Sequence, residues 1–345
     1  MSNSDHKTNT PARRVSSIDV ARAAGVSQAT VSYVFNGRKG YVVPDLTRDR
    51  VLQAAAELGY TPNKNAQSLK TGRTKTIALW IANVRTPIAA EVLRRVIDCV
   101  EADRYEVIIG GSGQNSSTAS WPVDGILAFD SRHELKSMLE RGHLPKVPVV
   151  SMGPYHFDQI DHVAVKLYPA THAAVKQMVE VGHKRIAYMG PGWSLTRGDE
   201  RFDAYSDALR EAGLQPELMP ITDNTRLAAR QDLKKYLASS GCPNSIVCYN
   251  DEVAVGVLRS LYDLNIRVPD DISLIGCDGI AEMAYHCPSI STITQPLDEM
   301  CAMGWKFLFN RMNNPNLPIQ HSALSATYID RESTSKKDQN YGSNT

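Results

Sequence analysis

Gln28, Ala29, Thr30, Ser32 and Tyr33 open a short helical stretch behind Ser27, and their side chains suit base-pair edges better than any reaction. A glutamine pairs with adenine N6 and N7, and an alanine or threonine methyl touches the thymine methyl. Ser16, Asn36, Arg38, Lys39 and Arg48 add hydroxyl, amide and cationic donors suited to phosphates. Catalytic chemistry has no comparable footing. The six cysteines form no CxxC pair, and the chain contains no HExxH and no GxSxG. His156, Asp158, Asp161 and His162 are irregularly spaced, as in a solvated turn rather than a metal site. Gly110-Gly111-Ser112-Gly113 lacks the Gly-Lys-Ser/Thr that a phosphate loop needs. We expect no enzyme, no cofactor and no bound metal.

The elements that must position the first set are legible. Ser16 followed by Asp19 reads as a helix start, Gly25 ends that helix, and Ser27 caps a second one over 28–35. Two short helices joined by a glycine-containing turn form a helix-turn-helix, whose second helix enters the DNA major groove. Val20, Ala21, Val26, Val31 and Val34 fall on the facing sides. A third helix over 47–58 adds Val51, Ala54, Ala55 and Leu58 to the same small core.

Charge supports this division. Residues 1–76 carry 12 Lys and Arg against 5 Asp and Glu, and the remainder carries 26 against 32. A basic head on an acidic body points to a polyanion partner for the head alone. With 345 residues, 42% of them hydrophobic, the chain is long enough for more than one packed domain. No apolar run reaches a membrane span and the amino terminus is polar, so a cytoplasmic protein with reduced thiols is expected.

The run IDVARAAGVSQATVSYVFNG, with VVPDLTRDRVLQAAAELGYTPNKNAQSLKTGRT after it, resembles the DNA-binding head of the LacI family of bacterial repressors. The resemblance implies that 65–71 is a hinge helix that folds in the minor groove of bound DNA. Leu69 would wedge a base step there, with Asn63, Ala66 and Gln67 beside it. Tyr33 stands where the name-giving member has an arginine, so that member's operator preference does not carry over.

Beyond residue 76, continuously apolar strands alternate with helical patterns, which argues parallel sheets covered on both faces. Ligands bind beyond the carboxyl ends of such strands, where 83–88, 190–201, 250–251 and 277–280 should emerge. The family resemblance continues through VEVGHKRIAYMG, CYNDEVAVGVLRSLYDLNIRVPDDISLIGCD and PSISTITQPLDEM. It implies a small all-α helix-turn-helix domain followed by an α/β, periplasmic-binding-protein-like core. That core has two Rossmann-like subdomains joined by three crossovers around an effector cleft. By the same resemblance Arg201, Asn250 and Asp278 contact the effector, a polyhydroxylated small molecule such as a sugar. Asp223-Asn224-Thr225 falls where the family often has a stacking aromatic, and Trp193 is the candidate substitute. Lys166 stands at a position usually acidic. Only SGQNSSTASWP separates Gly111 from Val123, so the usual crossover helix should shrink or vanish and leave one face incomplete.

The expected organisation is a disordered arm (1–14), the helix-turn-helix domain (15–62), a hinge (63–75), an effector-binding and dimerisation domain (76–331) and a disordered tail (332–345). That tail lacks the leucines of a coiled coil. The protein should therefore be a homodimer on a pseudo-palindromic operator, held through the helix around 91–100 and segments near Leu258 and Met283. Two alternatives stay open: a regulator of the same family controlled by a protein partner, and a transport-type sugar binder.

Overall fold

The computed structural model describes residues 15–36, 41–61, 68, 72–111, 122–196 and 198–334. The chain divides into two units, Met1–Thr74 and Lys75–Thr345.

In the first unit, α1 (Ser17–Ala24) starts at a reciprocal cap. The Ser16 backbone N–H donates to the Asp19 carboxylate at 2.9 Å, and the Asp19 N–H returns to the Ser16 hydroxyl. Gly25 closes the helix at φ 63, a left-handed conformation that suits a residue without Cβ. Helix α2 (Gln28–Asn36) follows, with the Ser27 hydroxyl accepting from the Thr30 N–H at 3.1 Å. Helix α3 (Asp45–Leu58) begins two residues earlier than its periodicity suggests, behind Pro44. Val20, Val31, Val34, Val43, Val51, Ala54 and Ala55 form the buried core. Leu58 is not part of it and stays 39% exposed.

The second unit contains two six-stranded sheets. The first has the order β11-β5-β4-β3-β1-β2 and is wholly parallel. Its strands are β1 (Thr76–Ile81), β2 (Glu106–Gly111), β3 (Gly125–Phe129), β4 (Val149–Gly153), β5 (Asp161–Lys166) and β11 (His321–Ser325). The second has the order β12-β10-β9-β8-β6-β7 and is parallel apart from the β10–β12 pair. It consists of β6 (Ile186–Pro191), β7 (Glu217–Ile221), β8 (Ser245–Cys248), β9 (Ser273–Asp278), β10 (Ser291–Thr294) and β12 (Thr327–Ile329). The inner strands β3, β6 and β9 run as unbroken buried stretches, as two-sided burial requires.

The chain passes between the sheets three times: after β5, after β10 and at Ala326. At the first passage the Glu200 carboxylate accepts from the backbone N–H of Leu167 (2.7 Å) and of Tyr168 (3.2 Å). Lys166 approaches the other oxygen of Glu200 at 3.4 Å.

Several boundaries move. The ordered body runs past 331, because Ser333 is fully buried and its hydroxyl donates to the Leu274 carbonyl at 2.6 Å. Met283 is a core residue, and Leu227, Tyr262 and Tyr285 are the apolar side chains of that region facing solvent. The short crossover between Gly111 and Val123 lies almost wholly outside the described residues. Its neighbour Ile108, beside Ala78 on edge strand β2, is 36% exposed.

Candidate functional site

The head presents most of the base-reading candidates on one short helix. Gln28 and Ala29 are exposed, and Thr30 and Ser32 are partly exposed. The Gln28 amide donates to the Ser17 hydroxyl at 3.0 Å, and Thr30 exchanges a hydrogen bond with Ser27 at 2.9 Å. Tyr33 is half-buried, its ring 5.1 Å from that of Tyr41, so it serves the core as well as the surface. The Ser16 hydroxyl is engaged in the cap of α1. Arg48 is exposed on α3, and Asn36 is the last residue of α2. Arg38, Asn63, Ala66, Gln67 and Leu69 lie outside the described residues.

In the body, strand ends of both sheets converge on a cleft of about 550 Å³ including its mouth. Arg201 enters from the first turn of the helix Glu200–Glu211, where Asp199 is the cap. Asn250 caps the helix Asp251–Asp263 by accepting from the Val253 N–H at 3.0 Å, which leaves its amide NH₂ for another partner. Asp278 ends β9 at φ 130, and its carboxylate accepts from the Gln295 amide at 3.0 Å. All three line the cleft, as the resemblance implies. Trp193 does not. It is 57% exposed on a single turn of helix (Gly192–Ser194) and packs its edge against Tyr249.

The electrostatics depart from the expected arginine fork aimed at a ligand. Arg201 is 5% exposed and donates through Nε and Nη2 to both oxygens of Asp199, each at 3.0 Å. Its third nitrogen reaches the Tyr249 carbonyl at 3.3 Å, and the guanidinium lies 3.8 Å from the Tyr249 ring centroid. Burial opposes both charges of the pair. Mutual attraction outweighs it, so Asp199 stays below the carboxylate range and Arg201 well above the ordinary guanidinium value. Asp278 behaves oppositely: burial, then the nearby Asp251 charge, push it well above its usual value. Asp251 accepts from the N–H groups of Gly279 and Ile280 and from Thr292, so its carboxylate fixes the loop carrying Asp278.

Asn83 and Thr86, from the 83–88 loop expected at the strand ends, complete the wall together with residues that the sequence reading does not place in the cleft. Asn83, Thr86, Asp130 and Pro154 come from the first sheet, and Asn224 and Gln295 from the second side. Asp130 directly follows β3, a strand visible in the sequence, so the carboxyl-end rule could have found it. Burial pushes it up to about 6, against the pull of Arg201. Asn224 lines the cleft at the position expected to lack its aromatic. Among the described residues no group of His, Cys, Asp and Glu converges as a metal site. Asp161 and His162, expected in a solvated turn, are instead buried in β5, where Asp161 accepts from Arg311 and Gln320. No described helix is long and apolar enough to cross a membrane.

Comparison with known proteins covers both units. Residues 18–63 match the bacterial regulatory proteins of the lacI family, and residues 175–334 match the periplasmic binding protein-like domain. The ribose operon repressor of Haemophilus influenzae is 31% identical over 329 residues, covering 91% of this chain and 97% of that protein. The transcriptional repressor PurR of Erwinia tasmaniensis is also 31% identical, over 91% of this chain and 95% of its own length. Among solved structures, the lac repressor dimer bound to operator and the anti-inducer ONPF superposes with a TM-score of 0.75. It shares 22% identity and covers 93% of this chain and 99% of its own. With a matching head, a matching body and full-length relatives at this identity, the chain belongs to the LacI family of DNA-binding transcriptional regulators.

Proposed function

We propose that this protein is a cytoplasmic, homodimeric repressor that works by binding and not by catalysis. Two heads read a pseudo-palindrome of about 14–20 base pairs, and a small polyhydroxylated effector, a sugar, in the cleft alters that grip. The observation that carries the reading is that Arg201, Asn250 and Asp278 meet Asn83 and Asp130 across one cleft, in a chain whose head presents Gln28 to Tyr33. Residues 63–75 act as the hinge, and Leu69 is the wedge. Exposed Leu227, Tyr262 and Tyr285 belong to the surface that pairs the bodies.

The test has two parts. Selection from random duplexes should return two-fold symmetric sites; only asymmetric sites, or no enrichment, would refute the DNA half. A thermal-shift screen of sugars tests the other half. A ligand at 100 times its dissociation constant stabilises by about 2.7 kcal/mol, and no shift at millimolar concentrations would favour control by a protein partner.

A further inference from the structure

The cleft carries a charge imbalance that its own residues do not resolve. Among the described residues its one lining cation, Arg201, is already paired with Asp199. Asp278 receives only the Gln295 amide, and Asp130 makes no direct hydrogen bond or ion pair to a described residue. Two carboxyl groups, one from each subdomain, therefore line the same space, and the one cation that attracts both of them, Arg201, is bonded to Asp199. The amides point the same way. Gln295 is 6% exposed; its NH₂ faces Asp278, and its Oε1, buried in the cleft wall, has no hydrogen-bond partner. The Oδ1 of Asn224 is likewise buried and unpartnered. A buried acceptor without a donor is destabilising.

We propose that the effector of this protein is a small polyol bearing a protonated amine, an amino sugar in chemical class, whose ammonium lies between Asp130 and Asp278. The proposal rests on the reading of this cleft as the effector site. Hydroxyl groups of the ligand meet the free amide hydrogens of Asn250, and the unpartnered Gln295 and Asn224 oxygens lie in the wall behind them. The ammonium supplies the charge that Arg201, held by Asp199, cannot. In the empty protein both carboxyl groups hold their protons more tightly than usual; a fixed cation between them reverses that preference. Among the described lining residues a phosphorylated or carboxylated ligand meets no unpaired cation, and two acidic groups face it. Phe129, buried beside Asp130, supplies an apolar wall.

Calorimetry on the full chain at pH 7 tests this with matched probes: D-glucosamine, D-galactosamine and D-mannosamine, their parent hexoses, and the corresponding hexose 6-phosphates. At least one amine is expected to bind tenfold or more tighter than its parent, and its phosphate not at all. Asp130→Asn should reduce that preference below threefold, and Asp130→Glu should restore part of it. A parent hexose that binds as tightly as its amine, or a preference indifferent to Asp130→Asn, overturns the proposal and leaves the sugar reading intact. No heat from any member of the three series overturns both.

Discussion

The two walls of the cleft are built differently. On the carboxy-terminal side the charged groups are already held: Arg201 by Asp199, Asp278 by Gln295, and the loop behind it by Asp251. The amino-terminal side offers Asn83, whose oxygen is taken by the Arg85 N–H, and Asp130, which no described side chain holds. One wall is assembled before a ligand arrives. The other contains a group whose partner comes with the ligand. Preorganised polar groups cost little to order on binding, so the first wall fixes orientation, and the second is where selectivity between ligands is decided.

The largest expected effect breaks the preassembled wall. Asp199→Ala leaves the Arg201 guanidinium buried without its carboxylate, and removing one partner of such a pair costs about 3–5 kcal/mol. Urea denaturation should record that loss. A variant within experimental error of wild type would show that Arg201 finds another partner and that the wall is not fixed.

Next comes the contact itself. Asp278→Asn should weaken effector binding by about 1.5–3 kcal/mol, the scale of a charged hydrogen bond, and leave operator affinity in a mobility-shift titration unchanged. Wild-type effector affinity in this variant would remove Asp278 from the site.

The smallest effect sharpens the comparison through pH. A carboxyl whose folded-state pKa is raised binds its proton more tightly in the native protein. Its stabilising contribution is full below the unfolded value of 3.8 and is lost as pH rises through about 6. Ionised Asp130 should therefore destabilise the fold at pH 7.5 relative to pH 4. Asp130→Asn should be the more stable protein there, and that difference should shrink or reverse at pH 4. A difference between the two proteins that does not change with pH would show that Asp130 is solvated like any surface aspartate.

Much of this was readable in the chain, and the misses have physical causes. Caps at Ser16, Gly25 and Ser27 are local, so α1 and α2 appear in the sequence with their ends nearly in place. The central strands are apolar without interruption and equally plain. The helix Arg132–Arg141 carries little sequence signal because only Leu135 along it is buried, and β11 carries little because its residues alternate between half-buried and exposed at a sheet edge. Arg201, Asn250 and Asp278 came from motif correspondence, which conveys position but not occupancy; that Asp199 already holds Arg201 is a tertiary fact. Asn224 and Gln295 carry no local signal, because what matters is which oxygen lacks a partner after folding. Ser333 looked like tail because its surroundings are polar, yet it receives the Ser291 N–H at 2.8 Å and closes over β9.

Glu200 and Arg201 are consecutive on one helical turn, yet they serve different ends of the body. The first grips the backbone at residues 167 and 168, where the chain leaves one sheet for the other; the second stands in the cleft wall. In mechanical terms this turn is a rigid crank with two pins. One turn of helix thus ties the cleft wall to the peptide groups of the connection between the sheets.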